Sequence, residues 1–370
     1  MKTRPIPLVA LLFLGTAAFT AQAQEAKVKV SGKPITEVAH FEQYQVTGIA
    51  VSKTGRLFAN FPRWSNDYKY AVVEVSPDGS TKPFPDEQWN SWKDKDEDRS
   101  GKFVCVQSIV VDDTDALWVL DPGNPGMNGT LAGAPKLVKI DLATNKVVQN
   151  IPFGADICPA KSYLNDVRFD TDKGVAYLTE SGVGSLVVVD LKSGKARRLL
   201  VEDDSTLLDK KVTLTINGKE VMTAEKERPK FNADGIALSP DNKYVYYQAV
   251  LSGSLYRIAT EKLLDENLSK GDLSKAVENV GKSFPVDALW MDKEGNLYLS
   301  DLRDGAIQRR TADGKIELVC ADPRIEWPDS FAQGPDGAIY FSCSHIHHSP
   351  QYNGGKSART VPYAIYKVMP

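Results

Sequence analysis

The stretch Asp234-GIALSPDNKYVYYQ reads as two short apolar strands joined by a tight turn of Ser, Pro, Asp, Asn and Lys, residues that form turns for distinct physical reasons. The pattern recurs five more times, in Thr47-GIAVSKTGRLFANF, Gln107-SIVVDDTDALWVLD, Asn165-DVRFDTDKGVAYLTE, Asp287-ALWMDKEGNLYLSD and Asp329-SFAQGPDGAIYFSC. The six starts lie roughly 40–70 residues apart, the span of a four-stranded unit with loops of its own. Further strands follow, for example Lys136 to Leu142 with Lys146 to Ile151, and Ser185 to Leu191 with Ala196 to Val201. Six such sheets set radially make an all-β, six-bladed β-propeller.

An open ring would expose strand edges, so closure is required. The sixth hairpin is followed by one strand only, Tyr363-AIYKVM, and the outer strand it lacks is expected from Ile35 to Phe41. That N-terminal strand would close the last blade. Before it, Lys2 and Arg4, the apolar run from Leu8 to Phe19, and Ala21-Gln22-Ala23 have the layout of an export signal cleaved after Ala23. The expected organisation is a signal peptide over 1–23 and one propeller domain over 24–370. The apolar run falls short of the roughly 20 residues that span a bilayer, so no membrane anchor is expected. Export to the periplasm or the exterior follows.

Composition agrees with a large buried core: 370 residues, 42% hydrophobic and 25% charged. With 45 basic against 48 acidic residues and a net charge of −3, nothing draws the chain to nucleic acid or an anionic membrane. The expected working unit is a monomer. Four cysteines, Cys105, Cys158, Cys320 and Cys343, form no Cys-x-x-Cys pair, and an even number in an oxidising compartment points to disulfides. Three connectivities are open; repeat position favours Cys105 with Cys158 and Cys320 with Cys343. Val201 to Lys230, with its Asn217-Gly218 hairpin signal, and Glu261 to Gly281, with helical spacing of Leu263, Leu264, Leu268, Leu273 and Val277, read as insertions.

The inner strand of each blade lines the channel, and its first residues meet at one mouth. Those are Thr47, Gln107, Asn165, Asp166, Asp234, Asp287 and Asp329, joined by the hairpin ends Asn60, Asp121, Glu180, Gln248, Asp301 and His345. Any one of them alone would be read as a turn former or cap. Together they make a polar, acidic mouth whose carboxylates raise one another's pKa unless a cation or donor intervenes. Oxygen donors of this type suit Ca²⁺, with Asn165 and Asp234 as the expected ligands. Arg63 with Trp64, and the loop from His345, would wall a pocket for a small ring-shaped molecule. His345 and His347 share a face if the strand stays extended there, a further place for a transition metal. Asp94-Lys-Asp96-Glu-Asp98 starts like a calcium loop, but Arg99 and Cys105 stand where Gly and Glu are required.

In order and spacing these segments resemble the major royal jelly protein and yellow family, notably Thr47-GIAVSKTGRLFANFPRW, Val106-QSIVVDDTDALWVLDPG, Ala176-YLTESG and Trp327-PDSFAQGPDGAIYFSCS. The resemblance implies a secreted six-bladed propeller that holds a small molecule at its channel: biogenic amines in some members, with dopachrome-type tautomerisation attributed to others. More distantly the chain is similar to the gluconolactonase and senescence-marker group, calcium-dependent lactone hydrolases. Asn165 and Asp234 stand where that group holds its metal, but the group's blade-one Glu has no counterpart, since the strand opens with Val46-Thr47-Gly48. Two readings follow. As a binding module the chain would use Arg63, Trp64, Gln107, Asp121, Asp166, Glu180, Asp301, Asp329 and His345 as lining. As an enzyme it would use Ca²⁺ on Asn165 and Asp234 to polarise a lactone or enediol oxygen, with Asp287 moving a proton alongside Asp234. Binding is the favoured reading.

Overall fold

The computed structural model describes residue 1 and residues 28–65, 68–94, 96 and 98–370. The export signal and its cleavage position lie outside the described residues. Six antiparallel sheets surround one axis, four of them four-stranded and running outward from the inner strand in chain order, while the fifth and sixth each take an outermost strand from the N-terminal segment. The inner strands are Ile49–Val51, Ser108–Val111, Leu164–Asp170, Ala233–Leu238, Val286–Met291 and Pro328–Gln333, for blades 1 to 6.

Each sheet is covered on both faces by its neighbours, so its middle strands are apolar throughout rather than alternating. Ala116–Asp121 and Val175–Glu180 are buried at every position, whereas the outer strand Lys146–Pro152 alternates toward solvent. The core is therefore six wedges between blades, not one centre. Trp118 of blade 2 stacks on Phe169 of blade 3 at 4.8 Å. Phe341 of blade 6 packs with Tyr298 and Ile307 of blade 5. Burial of side chains this large stabilises by about 1.5–3 kcal/mol each.

The ring closes as expected. Ile35–Phe41 pairs antiparallel with Tyr363–Val368, from Ile35 opposite Val368 to Phe41 opposite Tyr363, and Ala39 and Phe41 enter the wedge between blades 6 and 1. A second tie was not anticipated: Ser31–Gly32 adds to the outer strand of blade 5 opposite Ala321 and Cys320. Gly32 has φ +74°, and a Cβ there would sit 2.4 Å from the Val319 carbonyl oxygen, so only glycine fits.

Two expectations need correction. The helical reading of Glu261 to Gly281 holds for Thr260–Leu264 and Lys270–Lys275, but Glu278–Lys282 is the outer strand of blade 4. Asn217 and Gly218 do form the turn of a two-stranded hairpin, with φ 51° and 78°. The four cysteines are free thiols. Cys105 packs with Trp92, Val104 and Ala134, Cys158 lies in the wedge between blades 2 and 3, and Cys320 and Cys343 lie between blades 5 and 6. Burial pushes the thiols of Cys158 and Cys320 up to about 12, and raises those of Cys105 and Cys343 as well. They behave as small apolar side chains.

Removing residues 24–42 should therefore leave blade 6 with a bare edge and lower the melting temperature by more than about 10 °C, each kcal/mol being worth roughly 2–4 °C in larger domains. Thermal denaturation of the truncated chain checks this; an unchanged midpoint would contradict it.

Candidate functional site

In four blades the inner ladder is interrupted where it reaches the mouth. The pairing skips between Leu164 and Val167, Ala233 and Ile236, Val286 and Leu289, and Pro328 and Phe331. Inside these bulges sit Asn165-Asp166, Asp234-Gly235, Asp287-Ala288 and Asp329-Ser330. A bulge re-aims a side chain and leaves backbone groups unpaired. In three of these blades hydroxyls of the second strand take up freed amides: Thr179 accepts from Asp166 N, Ser300 from Asp287 N and Ala288 N, and Ser342 from Ser330 N. Thr179 and Ser342 then donate to the carbonyls of Asp234 and Thr47 in the next blade. Inner strands approach closely enough that a Cβ on Gly235 would lie 2.4 Å from the Asp287 carbonyl oxygen.

The re-aimed side chains join a chain of hydrogen bonds around the mouth. Trp64 Nε1 donates to Tyr163 OH at 2.9 Å, and Tyr163 OH donates to Gln107 Oε1 at 2.8 Å. Gln107 Nε2 reaches Asn165 Oδ1 at 3.3 Å, and Asn165 Nδ2 donates to Asp234 Oδ2 at 2.6 Å. Asp234 is hydrogen-bonded to Asp287, whose Oδ2 also accepts from Trp327 Nε1. All six blades contribute. Within the girdle is a cavity of about 200 Å³, walled by Trp64, Tyr163, Phe231, Val250 and Ile346 and floored by Asn165 and the three aspartates.

Asp234, Asp287 and Asp329 are 3%, 8% and 6% exposed. Burial, then the charge of Asp287, raises Asp234 and Asp329 well above the usual carboxylate range. Burial raises Asp287 to about 6, opposed by its hydrogen bonds to Asp234 and Trp327. Among the described residues no Lys or Arg forms an ion pair with any of the three. Lys161 and Lys230 stand at the cavity rim, both exposed. Asp329 Oδ2 is buried with no hydrogen-bond partner. Such an arrangement favours a positive charge brought from outside.

The structure gathers Trp64, Gln107, Asn165, Asp234, Asp287 and Asp329 around this cavity. It places Asp166 in the channel 3.8 Å from Arg168, with its carboxyl raised by burial. The remaining residues lie elsewhere. Asp121 accepts from the amides of Val104, Cys105 and Gly123 and pairs with Lys136 at 3.2 Å. Glu180 accepts from the amides of Tyr163, Gly182 and Val183, and Asp301 binds Arg303 and Gln308. Arg63 pairs with Asp94 at 2.8 Å and covers the Tyr68 ring. His345 adopts φ 51° and turns the chain into a 3₁₀ segment, Ile346–His348, so His345 and His347 do not share a strand face. Tyr163 and Trp327 were missed as site residues. Each stands two positions before an inner-strand Asn or Asp, the period at which side chains of an extended segment share a face.

Asn165 turns its amide nitrogen toward Asp234, its oxygen being engaged by Gln107, and the only three acidic or histidine ligands among the described residues that converge within 4.8 Å lie outside this girdle. Asn165 and Asp234 thus stand side by side on the cavity floor, joined by that hydrogen bond. A family model described as "Major royal jelly protein" matches residues 104–318, which include blades 2 to 4 and most of blade 5. The chain belongs to the major royal jelly protein family. Major royal jelly protein 1 of Apis mellifera is 27% identical over 238 residues, 61% of this chain and 51% of its own length. Protein yellow of Drosophila guanche is 27% identical over 126 residues, 32% of this chain and 22% of its own. The chain thus spans about half, or less, of the length of these relatives.

Solved structures that share the fold include the following two. Regucalcin, a calcium-binding protein of Agrobacterium tumefaciens, superposes with TM-score 0.53 at 13% identity over 92% of this chain and 93% of its own. A gluconolactonase of Xanthomonas campestris gives 0.51 at 11% identity over 93% and 97%.

An aspartate whose pKa is raised by folding destabilises the folded state above that pKa and stops doing so below its unfolded value near 4. Replacing Asp287 by Asn should therefore stabilise the free protein at pH 7 by roughly 1–3 kcal/mol, with the gain vanishing as pH falls from about 6 toward about 4. Urea denaturation of both proteins across this range checks the sign; a variant less stable at pH 7 would contradict it.

Proposed function

We propose that this chain is an exported propeller of the royal jelly type that binds a small aromatic amine at the mouth of its central channel. The observation that carries the reading is the buried, unpartnered Oδ2 of Asp329 beside Asp234 and Asp287, with no basic side chain paired to any of the three. A protonated amine supplies the missing charge and up to three donors, while Trp64, Tyr163 and Phe231 offer ring faces to an attached aromatic group. The amine would sit in the floor of the cavity and its ring against the rim. Trp64, Gln107 and Asn165 are already tied to one another, so little side-chain entropy is lost on binding.

A second reading rests on the Asp234–Asp287 hydrogen bond. Two coupled carboxyls that share one proton offer an acid and a base side by side, the equipment for moving a proton on a bound enol or catechol. Calcium-dependent lactone hydrolysis draws support from the shared fold with regucalcin and the gluconolactonase, and would require the Asn165 amide to present its oxygen instead.

Thermal shift with 2-phenylethylamine, 2-phenylethanol and calcium chloride separates these. The amine alone should raise the melting temperature of the wild-type protein, by an amount equivalent to about 2.7 kcal/mol at a hundredfold excess over Kd. Asp329→Asn should lose that response and stay folded. An equal response to the neutral alcohol, or a response to calcium only, would overturn the proposal.

A further inference from the structure

Outside the carboxylate girdle, blade 6 holds a second cluster of chemistry-bearing side chains. The chain enters the blade through Glu326 and Trp327 and leaves its second strand through Ser344 and His345. The two segments are joined by backbone bonds from Ser344 N to the Trp327 carbonyl at 3.0 Å and from His345 N to the Glu326 carbonyl at 3.3 Å. His345 then takes a left-handed backbone, φ 51° and ψ 32°, uncommon for a residue with a side chain. The 3₁₀ turn that follows carries His348 back toward Glu326.

The result is a convergence of three ligand atoms. Oε2 of Glu326 lies 3.0 Å from Nδ1 of His345 and 3.5 Å from Nδ1 of His348, and one ligand atom from each residue lies within 4.8 Å of the others. All three named atoms are buried, and none has an aligned hydrogen bond. An ordinary His–Glu ion pair would direct an N–H at the carboxylate. Here the atoms are close without that alignment. One carboxylate also faces two imidazoles, with a third, His347, 4.0 Å from His348 between ring centres. Two imidazole nitrogens and one carboxylate oxygen, convergent and buried, are instead the donor set of a borderline divalent ion.

We infer that Glu326, His345 and His348 bind a divalent first-row transition-metal ion such as Zn²⁺. The ion fastens together the two segments that carry Trp327 to Asp287 and Ile346 into the cavity wall. Trp327 donates to Asp287 and Ile346 lines the cavity, so the metal holds the frame of the mouth without entering it. Its partial exposure through His348 and Glu326, 21% and 20% by side chain, gives the ion a way in. The site is independent of what the mouth binds.

The test uses the full chain, stripped with chelator and titrated with Co²⁺, whose visible absorption reports nitrogen and oxygen ligation, then with Zn²⁺ in competition. One equivalent should bind, Zn²⁺ should displace Co²⁺, and either should raise the melting temperature. His348→Ala and Glu326→Gln should each weaken binding by at least about tenfold, the loss caused by removing even an outer-sphere partner. His40→Ala removes the exposed His40–Glu37 pair and should change nothing. His348 is the least buried of the two histidines, so its variant keeps the test open if Glu326→Gln fails to fold. Absence of a cobalt spectrum in the wild type, or wild-type affinity in folded His348→Ala, would overturn the inference.

Discussion

Six inner strands that meet on one axis force their leading side chains into each other's company, and the rest of the site follows from that constraint. In most folds three aspartates from distant parts of a sequence would point to solvent. Here bulges turn Asp234, Asp287 and Asp329 inward together, and the blades around them exclude water. The hydroxyls of Thr179, Ser300 and Ser342 accept from amides that the bulges of blades 3, 5 and 6 release. Part of the backbone cost of the bulges is thereby met. The electrostatic cost is not, because burial raises all three carboxyls, the charge of Asp287 raises Asp234 and Asp329 further, and no basic group is paired with any of them.

The fold was legible because its signal is repetitive. Six hairpins with the same turn chemistry and spacing are hard to arrange except as a ring, and Ile35 to Phe41 had the apolar pattern of the strand missing from the last blade. Elements without pattern were not legible. Ser31–Gly32 is too short to show a period, and Glu278–Lys282 lacks the apolar alternation of a strand because it lies at the exposed edge of its sheet. The number of cysteines carries no information on their separation, which is why free, buried thiols were read as disulfides.

The site was legible by half. Asn165, Asp234, Asp287 and Asp329 were found from their common place in the repeat. The hairpin ends have an equally regular place and equally polar character, yet Asp121 and Glu180 fold back onto the amides that lead into their own blades. A carboxylate that caps a backbone and one that awaits a ligand look alike in sequence. What separates them is whether an amide lies within reach, and that depends on loops. The His345 segment shows the same limit: an extended reading pairs His345 with His347, whereas a left-handed residue and a 3₁₀ turn bring His348 to Glu326 instead.

If the mouth is a cation site kept partly protonated when empty, binding must expel a proton. Calorimetric titration with 2-phenylethylamine near pH 6, repeated in two buffers of different ionisation enthalpy, measures that proton directly. The account requires net proton release in the wild-type protein that falls away in Asp287→Asn. Binding with no proton exchange, or with proton uptake, would contradict it.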